Sequence, residues 1–283
     1  MNKIKMCSGK GQYATERNNA LETITWAKIV DMAEEPKAED KQYARWLIPS
    51  THLSRKFKEQ EQQGSFHLLW ADLDEKVPDI TVVSEIVGAI VGDVEYLVYL
   101  TTSATQDNPK CRILIPLSHA LEPKQWQICQ EILNNFLEEN GLIPDRASQR
   151  CGQLCFLPNR GQYYDFVHAF KSGDQHLDPL NKFEAHFQAI LDQEKQAELA
   201  AQLKINEAKC KRKERMQKGY DSPIDWFNQH HSVEEILIDN GYDQRGISFR
   251  HPNTESGSYS ASIDPATGRV HSLSSSDRLY TEG

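Results

Sequence analysis

His67-Leu68-Leu69-Trp70-Ala71-Asp72-Leu73-Asp74-Glu75, opened by Gly64-Ser65-Phe66, is an apolar run that ends in carboxylates. Its length, its bounding glycine and its acidic end predict a buried strand with acid at its C-terminal tip. Strand side chains alternate, so Asp72 and Asp74 share one face while Leu73 turns to the core. Two carboxylates that close repel each other unless a cation lies between them, and a hard divalent ion with oxygen ligands suits such a pair. The plainer alternative is a solvated strand end where acidic residues begin a turn.

The 283-residue chain, 39% hydrophobic, can bury one substantial core and a second small one. No apolar run approaches the ~20 residues that span a bilayer. Lys3, Lys5 and Lys10 lead into no apolar segment, so no signal peptide is expected, and a soluble cytoplasmic protein with no membrane partner is the expectation. Cys7, Cys111, Cys129, Cys151, Cys155 and Cys210 are scattered without zinc-ribbon spacing, which predicts reduced thiols. A formal charge of −9 argues against coating nucleic acid by bulk positive charge, but local charge decides where a phosphate backbone can lie. Acid concentrates at 31–40, 72–79 and 131–139, whereas 204–218 is basic.

Residues 20–60 read as helical pieces, one stopped by Pro36 and another over 41–47 ending near Pro49. After the acidic strand come a helix over about 81–92 and two strands, 95–102 and 110–117. The turn Gln106-Asp107-Asn108-Pro109 joins them as a hairpin. An amphipathic helix follows Pro123 and stops at Gly141, then Asp145, then a short strand over 153–158 closed by Asn159-Arg160-Gly161. This order predicts an α+β fold with a mixed or antiparallel sheet and flanking helices. Domain one is expected over 1–180, a charged helical connector over 181–219, and a small α+β domain over 220–283. Trp26, Trp46, Trp70 and Trp126 read as core, and Tyr163 and Tyr164 as packed rings that could otherwise stack on bases.

Three features now stand in sequence: Asp72-x-Asp74 on a strand, a hairpin bearing Thr101-Thr102-Ser103-Ala104-Thr105 and Arg112-Ile113-Leu114-Ile115-Pro116-Leu117, and Asp145 before Arg150-Cys151-Gly152-Gln153-Leu154-Cys155-Phe156-Leu157-Pro158. Over roughly 20–170 this order resembles the catalytic core of the archaeo-eukaryotic primase superfamily, particularly its phage and plasmid primase-polymerases. Asp72 and Asp74 match the family's acidic pair, Ser103 falls at its Ser-x-His motif, and Asp145 matches its third carboxylate. One departure is clear. Ala104 stands where the motif's histidine would contact nucleotide phosphates, so either Lys110 and Arg112 take over or nucleotide binding is weakened; His119, beyond Pro116, reads as a surface loop residue.

The resemblance implies nucleotidyl transfer with two Mg²⁺ or Mn²⁺ ions. A 3′-hydroxyl attacks the α-phosphorus in line while pyrophosphate leaves, and paired ions ~4 Å apart stabilise both oxygens. Asp72, Asp74 and Asp145 would be the metal ligands, and Ser103, Lys110, Arg112 and Arg150 the nucleotide contacts. A single-stranded DNA template, nucleoside triphosphates and a replicative helicase would be the partners, in a bacterial cell that carries the phage or plasmid. Lys209, Lys211, Arg212, Lys213 and Arg215 are candidate DNA contacts on a helix that otherwise reads as a solvated connector.

The segment around Ser232–Leu237, Gly241-Tyr242, Arg250-His251-Pro252 and Asp277-Arg278-Leu279 resembles a small module that follows the primase core in many phage and plasmid proteins. No cysteine accompanies His251 or His271, so no structural zinc is expected there. No Walker A sequence occurs, so no motor is expected. Two other readings compete with primer synthesis: a catalytically weak or inactive primase fold that binds single-stranded DNA and recruits a helicase, which Ala104 and the acidic overall charge permit, and a metal-dependent nuclease. Cations on the hairpin beside the acids favour synthesis over cutting.

Overall fold

Hydrogen bonding along the acidic strand sets the architecture of the first unit. The computed structural model describes residues 4–13, 20–170, 175–217, 223–254, 257–265 and 267–280, without the side chains of 212, 215–217 and 223. Its contacts divide the chain into two units, Met1–Lys195 and Gln196–Gly283. Among the described residues no helix is long and apolar enough to cross a membrane.

The first unit runs β1 (Met6–Lys10), β2 (Glu22–Ile24), α1 (Trp26–Glu34), β3 (Arg45–Ile48), α2 (Phe57–Gln63), β4 (Phe66–Glu75), α3 (Ile80–Val91), β5 (Tyr96–Leu100), β6 (Cys111–Leu121), α4 (Pro123–Glu139), β7 (Ile143–Pro144), β8 (Cys155–Phe156), β9 (Phe166–Ala169), α5 (Pro179–Lys182) and the start of α6 (Glu184–Gln217). Two antiparallel sheets form, ordered β2-β1-β3-β8 and β7-β4-β6-β5-β9. The class is α+β, as the alternation of patterns predicts.

Local signals place the helices. Thr25 and Asp79 cap α1 and α3 through side-chain oxygens that accept from Lys28 and Thr81 N–H groups. Glu122 and Gln125 form a capping box at α4 with Pro123 in its first turn, and Gly141, at φ 82°, follows its end. One expectation is overturned. The helical piece read over 41–47 is instead β3, paired with β1 on one side and β8 on the other. Trp46, Leu47 and Ile48 are all buried, so both faces are apolar and the alternation that marks a strand is missing. β1 packs close by because Gly9 has no side chain: a Cβ there would come within 2.2 Å of the Trp46 ring.

The faces of the five-stranded sheet follow from register. Tyr96 lies on the face that meets α3, its hydroxyl donating to the Ser84 carbonyl at 2.8 Å. Tyr99, of opposite parity, faces the other sheet, its hydroxyl donating to the Phe156 carbonyl at 2.6 Å. The edge of β4 is closed by side chains of α4: Gln130 accepts from Trp70 N–H at 3.1 Å and donates to its carbonyl at 2.6 Å, and Trp126 Nε1 donates to Leu68 at 2.8 Å. Spacing of four residues puts both on one helix face.

Behind β5 lies a buried polar knot. Glu95, 4% exposed, accepts from Trp26 Nε1 at 2.8 Å, with His168 Nε2 at 2.8 Å on the same oxygen and His176 Nε2 at 3.2 Å on the other. The knot ties α1, β5 and β9 to the segment before α5.

The second unit holds the remainder of α6, α7 (Pro223–His230), α8 (Val233–Asp239) and an antiparallel meander of β10 (Asp243–Arg245), β11 (Ser248–Arg250), β12 (Ala261–Ile263) and β13 (Val270–Ser272). Leu237, Phe249 and Ala261 form its small core. Asp277 is its buried polar centre, accepting from the Tyr242 hydroxyl and the Leu279 N–H. All six cysteines are free thiols, five of them buried.

Burial alone would raise the Glu95 carboxyl, but hydrogen bonds from His168 and Trp26 and the field of both imidazoles outweigh it and hold it below its ordinary value of 4.5. A carboxyl more acidic folded than unfolded contributes stability above that value and loses it as pH falls through its folded value. Glu95→Gln is expected to cost about 3 kcal/mol at pH 7 and to flatten the acid-side decline in thermal stability. Superimposable pH profiles for the two proteins below pH 5 would refute this.

Candidate active site

Asp72 and Asp74 of β4 each face a cation, Arg112 on β6 and Lys110 just before it. The register pairs Asp72 with Arg112 and Leu73 with Cys111, which places Asp74 beside Lys110. Asp72 Oδ2 accepts from Arg112 Nη2 at 2.7 Å, with both side chains about 15% exposed, and Lys110 Nζ lies 3.3 Å from Asp74 Oδ1 nearer solvent. The inner pair is therefore poorly screened and the outer one well screened.

Arg112 is fixed from two sides. Besides Asp72 it reaches the Phe156 carbonyl through Nη1 at 3.3 Å, and its guanidinium lies 5.9 Å from the Phe156 ring. Tyr99 stands directly opposite Arg112 on β5 and donates to the same carbonyl. Tyr99, Arg112 and Asp72 thus form one polar row across three strands, facing the smaller sheet. Asp145 extends the row. Its backbone N–H donates to the Asp72 carbonyl at 2.8 Å where β7 pairs with β4, and its side chain accepts from Ala147 N–H at the head of a short 3₁₀ turn, Arg146–Gln149.

Charge follows burial here. Loss of water raises the Asp72 carboxyl above the ordinary aspartate range against the opposing pull of Arg112, and the nearby charges of Asp74 and Asp145 push the same way as burial. Burial works against the Arg112 charge, but Asp72 outweighs it and the guanidinium stays charged. The thiols of Cys111 and Cys155 are pushed up to about 12 by burial, so they remain protonated and unreactive.

Does this set suit a divalent ion? The donors are hard carboxylate oxygens, and Asp72 Oδ1 is buried with no hydrogen-bond partner among the described residues. A cation at that oxygen would satisfy it. Against this, among the described residues no three His, Cys, Asp or Glu side chains already converge as a coordination set. Lys110 and Arg112 instead supply the counter-charge for the acidic pair.

The other expected contacts lie on separate elements. Ser103 is exposed in the loop after β5, 3.3 Å from the Thr101 hydroxyl, whereas Ala104 is buried in the core. Arg150 is exposed at the end of the 3₁₀ turn that Asp145 begins. His119 is exposed, on β6 rather than in a loop. Lys209, Lys211 and Lys213 lie exposed on α6 in the second unit; Arg212 and Arg215 share that helix, their side chains outside the described ones. Sequence reading missed Tyr99 and Phe156. Tyr99 could have been found by counting the hairpin register outward from its turn, but Phe156 reaches the row from a different sheet.

No family model matches the chain, and no curated protein matches it. Among solved structures it is similar to the AEP domain of the cyanophage S-2L primase-polymerase, at a TM-score of 0.39 and 10% identity over 64% of this chain and 88% of that one. At that level the likeness does not extend to function.

Arg112→Met is expected to strand the Asp72 charge and cost about 3–5 kcal/mol in urea unfolding. Adding Asp72→Asn should restore much of the loss, so the cycle should report a coupling above about 1 kcal/mol. Simple additivity of the two single losses would show that the pair is not coupled.

Proposed function

We propose that the chain is a template-dependent nucleotidyltransferase, a DNA primase or primase-polymerase of a phage or plasmid replication system that makes primers on single-stranded DNA. The observation that carries this reading is the row itself: two acids on one strand face, one paired with Arg112 on the next strand and one with Lys110 just before that strand, with Asp145 bonded to the Asp72 backbone. Nucleotidyl transfer needs carboxylates and triphosphate-binding cations side by side, and Lys110 and Arg112 supply the cations.

Asp72, Asp74 and Asp145 would hold Mg²⁺ or Mn²⁺, which when bound neutralises charge on the attacking and leaving oxygens. The residues around them divide the remaining work. Lys110 pairs with a half-exposed Asp74 through a solvent-screened contact, so it can leave Asp74 and take a phosphate oxygen of a nucleoside triphosphate. Arg112 is buried and held by the Phe156 carbonyl, so it keeps Asp72 oriented. Ser103 and Arg150 are further nucleotide contacts in this reading, and the basic end of α6 with Lys209, Lys211, Arg212, Lys213 and Arg215 a further strand contact. A replicative helicase completes the partners.

A second reading has its own support. Both central acids already have cationic partners, and Ala104 cannot contact phosphate from the core, as suits a primase fold that binds single-stranded DNA and recruits a helicase.

Primer synthesis on single-stranded DNA with labelled nucleotides and Mg²⁺ or Mn²⁺ separates the two. Products are expected from the wild type and none from Asp72→Ala/Asp74→Ala. Lys110→Ala should raise KM for the nucleotide about tenfold, the loss of about 1.4 kcal/mol of binding. No product with either metal, together with intact strand binding and no cutting, would remove the catalytic reading in favour of the binding one.

A further inference from the structure

On the outer face of the smaller sheet lies a groove of about 430 Å³ whose lining includes Gln12, Tyr13, Lys41, Arg55, Gln153 and Phe156. Its charge differs from that of the chain. The protein carries a net −9, yet among the described residues two cations and no acid line this groove. A separate cleft of about 530 Å³ beside α1 sets Asp31, Glu34, Glu35 and Glu39 against Lys10, Lys28, Lys37 and Arg45, so cationic excess is not common to every depression of the surface.

The groove has aromatic support as well as charge. Phe156 and Trp46 are cross-strand neighbours in β8 and β3, which puts their rings on one face. Each carries a cation: Lys41 Nζ lies 5.3 Å from the Phe156 ring and Arg55 Cζ 5.7 Å from the Trp46 ring. Phe156 also touches the acid row, since Arg112 lies 5.9 Å from its ring and both Arg112 and Tyr99 donate to its carbonyl. One residue therefore joins the groove to the carboxylates.

We infer that this groove seats a single strand of nucleic acid, with phosphates on Lys41 and Arg55 and a base against Phe156. Non-sequence-specific strand binding combines a cationic track with aromatic faces, and both are present here at the spacing of adjacent strands. A nucleoside triphosphate alone fits less well, because the described lining offers two cations for about four negative charges and no carboxylate to carry a metal. Strand seating does not depend on nucleotidyl transfer; only the strand's role as template rests on the proposed function.

The test measures fluorescence anisotropy of a labelled oligothymidylate with the full chain, without divalent metal, over a range of salt. Lys41→Gln/Arg55→Gln is expected to weaken binding at least tenfold and to reduce the salt slope by about 1.4, two phosphate contacts at ~0.7 each. Phe156→Leu should weaken binding five-fold or more at unchanged slope, as loss of a stacking face does. Far-UV circular dichroism checks that each variant folds; should Phe156→Leu not fold, the cationic variant at the groove surface still decides. Unchanged affinity in that variant, with binding lost instead in Lys209→Gln/Lys211→Gln/Lys213→Gln, would overturn the inference. So would free dTTP displacing the strand at equal affinity with the same dependence on Lys41 and Arg55. The Asp72→Ala/Asp74→Ala protein is expected to bind the strand like the wild type, so failed synthesis with intact binding removes the catalytic reading and leaves this one standing.

Discussion

A carboxylate and a guanidinium taken out of water together must be held in register, because burying either alone costs several kcal/mol. Asp72 and Arg112 meet that condition through the pairing of β4 with β6, and much else in the first unit serves to keep that pairing in place. Gln130 and Trp126 hold the outer edge of β4, while the Phe156 carbonyl takes the second arm of the guanidinium and the Tyr99 hydroxyl together. The two sheets are thus joined by an acceptor that both Arg112 and Tyr99 need. A charged group that could have weakened the core instead fixes how its two layers meet.

The same arrangement explains why the acids divide by exposure. Asp72 lies where the strand is still covered by the second sheet, and Asp74 two residues later lies where the cover ends. Their partners inherit that difference. Arg, with several donors in one plane, suits the buried position where more than one acceptor must be met at once. Lys, with a single mobile ammonium, suits the edge.

Much of this was legible in the sequence where local signals are strong. The acidic strand, the hairpin after it, and helices α3 and α4 follow from the length of their apolar runs, bounding turn residues and caps, and the α+β class follows from their order. β3 was not legible because a strand covered on both faces shows no alternation, and Pro49 beyond it also suits a helix end. β1 and β9 were missed because they gain their hydrogen bonds from strands distant in the chain, which no local pattern records. Asp145 stood out only as an isolated acid; its link to Asp72 depends on β7, a two-residue strand too short to announce itself. The groove residues are scattered from Gln12 to Phe156, and only folding assembles them.

The closure of β4 by Gln130 has a further consequence. A strand at the margin of a sheet ordinarily leaves its amides and carbonyls open to recruitment by any extended peptide, including another copy of itself. The Gln130 side chain has the donor and acceptor of a peptide group, and at Trp70 it occupies the place of that next strand without being able to propagate one. The sheet is thereby terminated at Trp70 from within, by a helix that arrives later in the chain. Without α4 docked, the edge of β4 would stand open at Trp70 and Leu68, so the helix that completes the core also closes the sheet against further pairing.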